Sequence, residues 1–263
     1  MFPIKNQILA LAGLSLLASG PSAFAITLSN PVAASPSTVG HGLAGSYYGQ
    51  VSNGQFRNGH FIAPIVTTDC AMDYISENTP IATFQASEIN YPGNGSSTTK
   101  DNTTLGAFLG TDAATLSRPD VSNNALSGQL FDFKGFINVP TARTYTFSLG
   151  SDDGARLLIG GKTIVDRYYL QNVFQPGFVS RAAQVTFMEA GLYPIEVAYF
   201  ENTGNTGISL SSDLNNRRPG GALSPITPAS LYSPAGSVPE PGSVALLIGA
   251  GTVACGMIPR KRK

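Results

Sequence analysis

Two oxygen-rich stretches carry the residue types that could bind a ligand. The first is Ser151-Asp152-Asp153-Gly154, where two carboxylates follow an alternating apolar run and Gly154 lets the main chain turn sharply. Neighbouring side chains in an extended strand point to opposite faces, so there the two acids could not share one ligand. In a tight turn they converge, and a hard cation such as Ca²⁺, which takes several oxygen ligands at once, rewards that convergence. Adjacent acids in a turn are also common as plain solvated residues, and the pair alone leaves both readings open. The second stretch, Glu201-Asn202-Thr203-Gly204-Asn205-Thr206-Gly207, supplies carboxylate, amide and carbonyl oxygens with little bulk. If it reaches the same end of a sheet, it completes a calcium shell.

Other candidates are thinner. Tyr168 and Tyr169, with Phe174 and Phe178, offer aromatic faces on which sugar rings can stack, although adjacent tyrosines in a strand usually divide between core and surface. Asp166 reads as a structural residue rather than a ligand. Cys70 reads as a small buried apolar residue. Serine-hydrolase chemistry needs a histidine base, and neither His41 nor His60 lies in a catalytic motif. No glycine-rich phosphate loop opens a helix. Glycoside hydrolysis needs only two carboxylates, but nothing marks the cleft it requires. The chain is read as a binding or structural protein and not as an enzyme.

The elements around these stretches alternate with period two. Phe131 and Phe133, Ile137 and Val139, then Tyr145, Phe147 and Leu149 each straddle polar residues. Leu157 and Ile159, Val185 and Phe187, Ile195, Val197 and Tyr199, and Ile208 and Leu210 repeat the pattern. Short strands punctuated by Gly150, Gly160-Gly161, Gly191 and Gly204 predict an all-β antiparallel sandwich or barrel. Gly160-Gly161 predicts a tight hairpin. The earlier half is less regular, with strands expected at 43–49, 82–87, 106–110 and 128–139 and long polar loops such as 92–104. No stretch between the two ends shows a 3.6-residue period.

Several of these runs resemble the PA14 domain, a protective-antigen-type β-sandwich. Gly42-Leu43-Ala44-Gly45-Ser46-Tyr47-Tyr48 looks like its opening strand. Phe133-x-Gly135-Phe136-Ile137-x-Val139-Pro140, Tyr145-x-Phe147, Ser151-Asp152-Asp153-Gly154 and Arg156-Leu157 look like its middle. Gly191-Leu192-Tyr193-Pro194-Ile195 and Tyr199-Phe200-Glu201 resemble its late strands. The match is good over 128–213 and at 42–48, and poor over 60–127, where the chain carries insertions of its own. In sugar-binding members, the Asp-Asp pair is joined by a cis peptide and binds Ca²⁺, which in turn holds vicinal hydroxyls of a glycan. The resemblance therefore implies Asp152 and Asp153 as metal and carbohydrate ligands. It implies Asn202 as the amide ligand of the second loop, with Glu201 or Asn205 as substitutes, and that loop lacks the aromatic residue of the family's lectins. Tyr168 and Tyr169 would add to the carbohydrate surface.

Composition bounds the class further. Charged residues make up 12% of the 263, and formal net charge is zero. Five of the sixteen basic residues are terminal, however, leaving eleven basic against fifteen acidic between positions 26 and 238, a net of −4. A basic nucleic-acid surface is not supported. Two cysteines and two histidines are too few for a zinc site or a disulfide-stapled fold.

The two ends read as addresses. Lys5, the apolar run 8–18, Pro21 and Ala23-Phe24-Ala25 have the order of a signal peptide, spanning 1–25 and removed by signal peptidase. The run covers only ~16 Å as a helix, about half a bilayer. At the other end, residues 243–258 are uncharged and are followed by Pro259 and the cations 260–263. They cover ~24 Å as a helix, a short transmembrane span with the cations in the cytoplasm. Val238-Pro239-Glu240-Pro241 stands just before, held extended by its prolines. Motif, short apolar helix and basic terminus together resemble the PEP-CTERM sorting signal of exopolysaccharide-making Gram-negative bacteria. That resemblance implies transient anchoring in the inner membrane, cleavage by an exosortase, and delivery to the cell surface or matrix.

The expected organisation is thus a leader at 1–25, a linker at 26–41, the β domain at 42–214, a Pro/Gly-rich linker at 215–237 and the sorting signal at 238–263. The expected role is calcium-dependent binding of an extracellular polysaccharide or glycan. A structural matrix protein without a discrete ligand site is the alternative.

Overall fold

The computed structural model describes residues 26–51, 55–57, 60–62, 65, 67–93, 98–167, 178–216 and 220–234. Both terminal signals, Tyr168, Tyr169 and the motif Val238-Pro239-Glu240-Pro241 lie outside the described residues. Among the described residues, no helix is long and apolar enough to cross a membrane.

Two sheets face each other. The first runs β1 (Ile26–Leu28), β12 (Val179–Phe187), β9 (Thr144–Asp152), β14 (Asn205–Ser212) and β15 (Ser224–Pro225), with β6 (Asn90–Tyr91) and β7 (Thr99–Lys100) also pairing with β14. The second runs β11 (Lys162–Arg167), β10 (Gly154–Ile159), β13 (Gly191–Phe200), β8 (Gln129–Val139), β2 (Leu43–Gln50) and β5 (Ala82–Ala86), with β16 (Leu231–Tyr232) pairing with β8. A separate hairpin joins β3 (Gln55–Arg57) to β4 (His60–Ile62). Pairing is antiparallel throughout, except that β1 lies parallel to β12. This is the expected all-β sandwich.

Period-two alternation aims Phe131, Phe133, Tyr145, Phe147, Leu157, Val197, Tyr199 and Leu210 between the sheets, where each is at most 1% exposed. Their rings stack at ordinary aromatic distances: Phe131 on Tyr199 at 5.8 Å and Tyr91 on Phe133 at 5.9 Å. The alternation fails where both faces are covered. Gln129 to Phe133 and Val197 to Phe200 are buried without a break, because helix α1 (Thr68–Glu77) lies on the outer face of the second sheet. There Ala71 and Ile75 close a small second core with Tyr48, Leu130, Ala198 and Phe200.

Four expectations need correction. The segment 106–110 is not a strand: α2 (Leu105–Leu109) starts at an N-cap, Thr104, whose hydroxyl accepts from the Ala107 amide, and Leu105, Phe108 and Leu109 face the core at helical spacing. Helix α1 likewise contradicts the absence of a 3.6-residue period; its stripe of Thr68, Ala71 and Ile75 is too sparse to register in the sequence. Cys70 on that helix is exposed, not buried. Finally, neither flank is a mere linker. Residues 26–28 form β1, and Leu28 is buried. The two flanks also clasp each other: Gly40 N–H donates to Ala229 O at 3.0 Å, Gly42 N–H to Leu231 O at 3.0 Å, and the Tyr232 hydroxyl to Thr38 O at 2.7 Å. Leu231 is fully buried, so the domain extends to residue 234 at least. The hairpin at Gly160-Gly161 is as expected, with φ of 58° and 73°, the left-handed pair that a two-residue β-turn requires.

Candidate ligand site at the Asp152-Asp153 turn

Two connections cross from one sheet to the other at the same end of the sandwich. Strand β9 of the first sheet passes through Asp152-Asp153 into β10 of the second, and β13 of the second returns through 201–204 into β14 of the first. Register locks the crossings together, with Gly154 opposite Phe200 and Gly207 opposite Asp152. Gly154 is required because a Cβ there would drive into the Phe200 ring. The Asp152-Asp153 peptide bond is cis, as is Tyr91-Pro92.

This crossing gathers the acids. Asp152, Asp153 and Glu201 are 5%, 3% and 0% exposed. Asn202 donates its main-chain N–H to Asp153 Oδ2 at 3.0 Å, so the second loop does reach the first. The Ser151 hydroxyl donates to the Asp153 carbonyl at 2.7 Å. The Asn202 carbonyl in turn accepts from Gly128 N–H at 2.8 Å and the Ser127 hydroxyl at 3.2 Å. Asn205 is turned away, its amide oxygen accepting from Lys100 Nζ at 2.8 Å.

Electrostatics follow from the crowding. Burial first, and the neighbouring Asp153 second, push the Asp152 carboxyl up to about 6, against the opposing Arg167 cation. Burial and then Asp153, Asp152 and Asp101 push Glu201 up to about 10. Three buried carboxyl groups thus share a turn, with the buried Arg167 cation opposing the shift of Asp152.

Three participants were not legible beforehand. Asp101, in the loop read as merely polar, accepts the Gly204 N–H on Oδ2 at 2.9 Å and donates its own N–H to the Gly204 carbonyl at 2.9 Å. No local signal marks it, since only the pairing of β7 with β14 brings it there. Arg167 ends β11 opposite Ala155. Tyr199 read as a core residue, and its hydroxyl lies directly under the turn. Asp166, by contrast, is structural as expected, held by Arg156 Nε at 3.1 Å and the Thr68 hydroxyl at 2.7 Å. Of the aromatic candidates, Phe178 is described, with its ring against Gly150, two residues before Asp152.

Residues 112–225 match the PA14 domain model. Over that stretch the chain is similar to the PA14 family. A PA14 sugar-binding domain from an RTX adhesin superposes with a TM-score of 0.58 at 21% identity, covering 75% of this chain and 100% of that one. The PA14 domain of the MpAFP antifreeze protein gives 0.57 at 22% identity, covering 76% and 95%. At these identities the likeness is one of fold. No curated protein matches the chain.

The fold raises the question of a metal. Among the described residues, no three His, Cys, Asp or Glu side chains are arranged to hold an ion by themselves. An ion at the Asp152-Asp153 turn would therefore draw on those two carboxylates together with amide and main-chain oxygens. Those donors fit a hard cation: they are all oxygen, they are buried, and burial first, then their mutual charge, raises the Asp152 and Glu201 carboxyls well above the usual carboxylate range.

Proposed function

We propose that this chain is an exported surface or matrix protein that binds carbohydrate through Ca²⁺ held at Asp152 and Asp153. The observation that carries the reading is the buried, negatively charged turn where two sheet crossings meet. Asp152 and Asp153 are the primary ligands, Asn202 the amide ligand of the second loop, and Glu201 an auxiliary carboxylate. Bound there, the ion would offset the charge of the clustered carboxylates and offer a cation to vicinal hydroxyls of a glycan. Tyr168 and Tyr169, outside the described residues, are assigned to the carbohydrate surface on their residue type alone. The likeness to a PA14 sugar-binding domain from an adhesin supports a polysaccharide or glycan as the partner.

Thermal unfolding in millimolar calcium and in EGTA tests the metal. An ion at a hundred times its Kd stabilises by about 2.7 kcal/mol, or about 5–11 °C for a domain of this size. The wild type should show that gap and Asp153→Ala should not. A wild-type melting temperature indifferent to chelation removes calcium and leaves the reading as a structural matrix protein. If calcium stabilises the fold but a glycan array stays blank, the metal is structural only.

Export and sorting belong to the same proposal: signal peptidase removes 1–25, and an exosortase cuts at Val238-Pro239-Glu240-Pro241, releasing the domain from the inner membrane of a Gram-negative bacterium. Mass spectrometry of surface fractions should find a C-terminus near Glu240. A full-length tail there rejects the processing step.

A further inference from the structure

Beneath the turn stands a side chain closed off from solvent. Tyr199 is fully buried on β13 and stacks on Phe131 at 5.8 Å, which fixes its ring. Its hydroxyl reaches both crossings at once. It lies 2.7 Å from the Asp152 carbonyl oxygen, 2.7 Å from Thr206 Oγ1, 3.0 Å from the Gly207 nitrogen and 3.4 Å from Glu201 Oε2.

Proton counting orients this network. A phenol has one O–H to donate and two lone pairs to accept with. The Asp152 carbonyl can only accept, so the Tyr199 proton goes there. Gly207 N–H can only donate, and Thr206 donates its hydroxyl proton to the remaining lone pair. Every short contact is then satisfied, with the direction of each bond determined. The Asp152 carbonyl belongs to the first loop, whereas Thr206 and Gly207 open β14, directly after the second. One oxygen atom on a rigid strand therefore sets the spacing between the two halves of the site.

We infer that Tyr199 is the positioning residue of this site, holding the Asp152-Asp153 turn and the 201–207 loop in mutual register through its hydroxyl. The inference rests on the proposed calcium reading. In a site whose two loops are clamped in advance, the ion does not have to order them, and affinity rises by the ordering cost avoided. Removing the hydroxyl keeps the ring and its packing but leaves a buried carbonyl and a buried N–H without their partner.

The test is calcium calorimetry on the exported chain, wild type against Tyr199→Phe, with unfolding followed in calcium and in EGTA. The variant should bind calcium about tenfold more weakly, corresponding to the loss of one or two buried hydrogen bonds. Its calcium-dependent gain in melting temperature should shrink accordingly. Equal affinity, with melting lowered by the same amount in calcium and EGTA, overturns the positioning role and leaves Tyr199 as a structural residue. Should Tyr199→Phe fail to fold, Thr206→Val removes one arm of the network, and unchanged affinity there overturns the inference equally. A wild type that binds no calcium overturns the parent reading and this one with it. A wild type that binds beside an unaffected variant overturns this one alone.

Discussion

Glu201→Gln removes a titrating group from the site while keeping its shape, so it isolates the electrostatics of the turn. Glu201 is fully buried, and its carboxyl is pushed up to about 10 by burial and by Asp153, Asp152 and Asp101. In the unfolded chain a glutamate titrates near ~4.3. Between those values the folded state binds a proton that the unfolded state has released. The stability contributed by that proton is fully present at the ordinary glutamate value and is lost as pH rises toward 10, at about 1.4 kcal/mol per pH unit. Urea denaturation at pH 7 and pH 8 in EGTA reads the slope directly. The wild type should lose about 1.4 kcal/mol across that interval. The variant should lose only ~0.1 kcal/mol, since Asp152 and Asp132, both raised to about 6, have nearly finished titrating by pH 7. In millimolar calcium the proposed ion competes with the proton and flattens the wild-type slope. A variant that keeps the whole slope, or a wild type that shows less than about 0.3 kcal/mol, refutes a protonated Glu201 packed against the aspartates.

Two further outcomes follow from parts of the fold away from the turn. Asp132, 2% exposed on β8 and paired with Lys134 Nζ at 2.8 Å, is raised to about 6 chiefly by burial, with Lys134 opposing. Stability should fall by about 1 kcal/mol between pH 5 and pH 7 on its account. Asp132→Asn should erase that share in the same urea series, and an unaltered pH profile rejects the assignment. Leu231→Ala empties a fully buried position on β16 and should cost about 2–5 kcal/mol in thermal or urea unfolding; a loss within about 0.5 kcal/mol returns the C-terminal flank to the status of a linker.

The sandwich was readable because a sheet buried on one face imposes period two on its strands. Phe131, Phe133, Tyr145, Phe147 and Leu149 obey that rule, and their strands lie where the alternation put them. Reading failed where burial came from elsewhere. Residues 129–133 and 197–200 carry apolar residues on both faces because a helix covers the outer one, and nothing in β8 or β13 announces that helix. Short elements failed for a related reason. Leu105, Phe108 and Leu109 fit a helix and a strand end equally well, and the Thr104 cap decided between them. The flanks misled through their prolines, since a composition that suits a spacer also suits edge pairing when a partner strand lies alongside.

By itself, the order of residues determined that Asp152 and Asp153 follow an alternating strand and precede a glycine, that a second oxygen-rich loop follows β13, and that the intervening strands alternate. These are local properties, set by neighbours along the chain. Only the tertiary structure decided that the loops meet, because their meeting depends on both chain crossings falling at one end of two particular sheets. It also decided that Asp101, Arg167 and Tyr199 belong to the site, each brought from a different strand or loop. Burial completed the chemistry: an aspartate in a solvated turn is an ordinary surface acid, whereas Asp152, enclosed beside two other carboxyl groups, has its carboxyl pushed up to about 6.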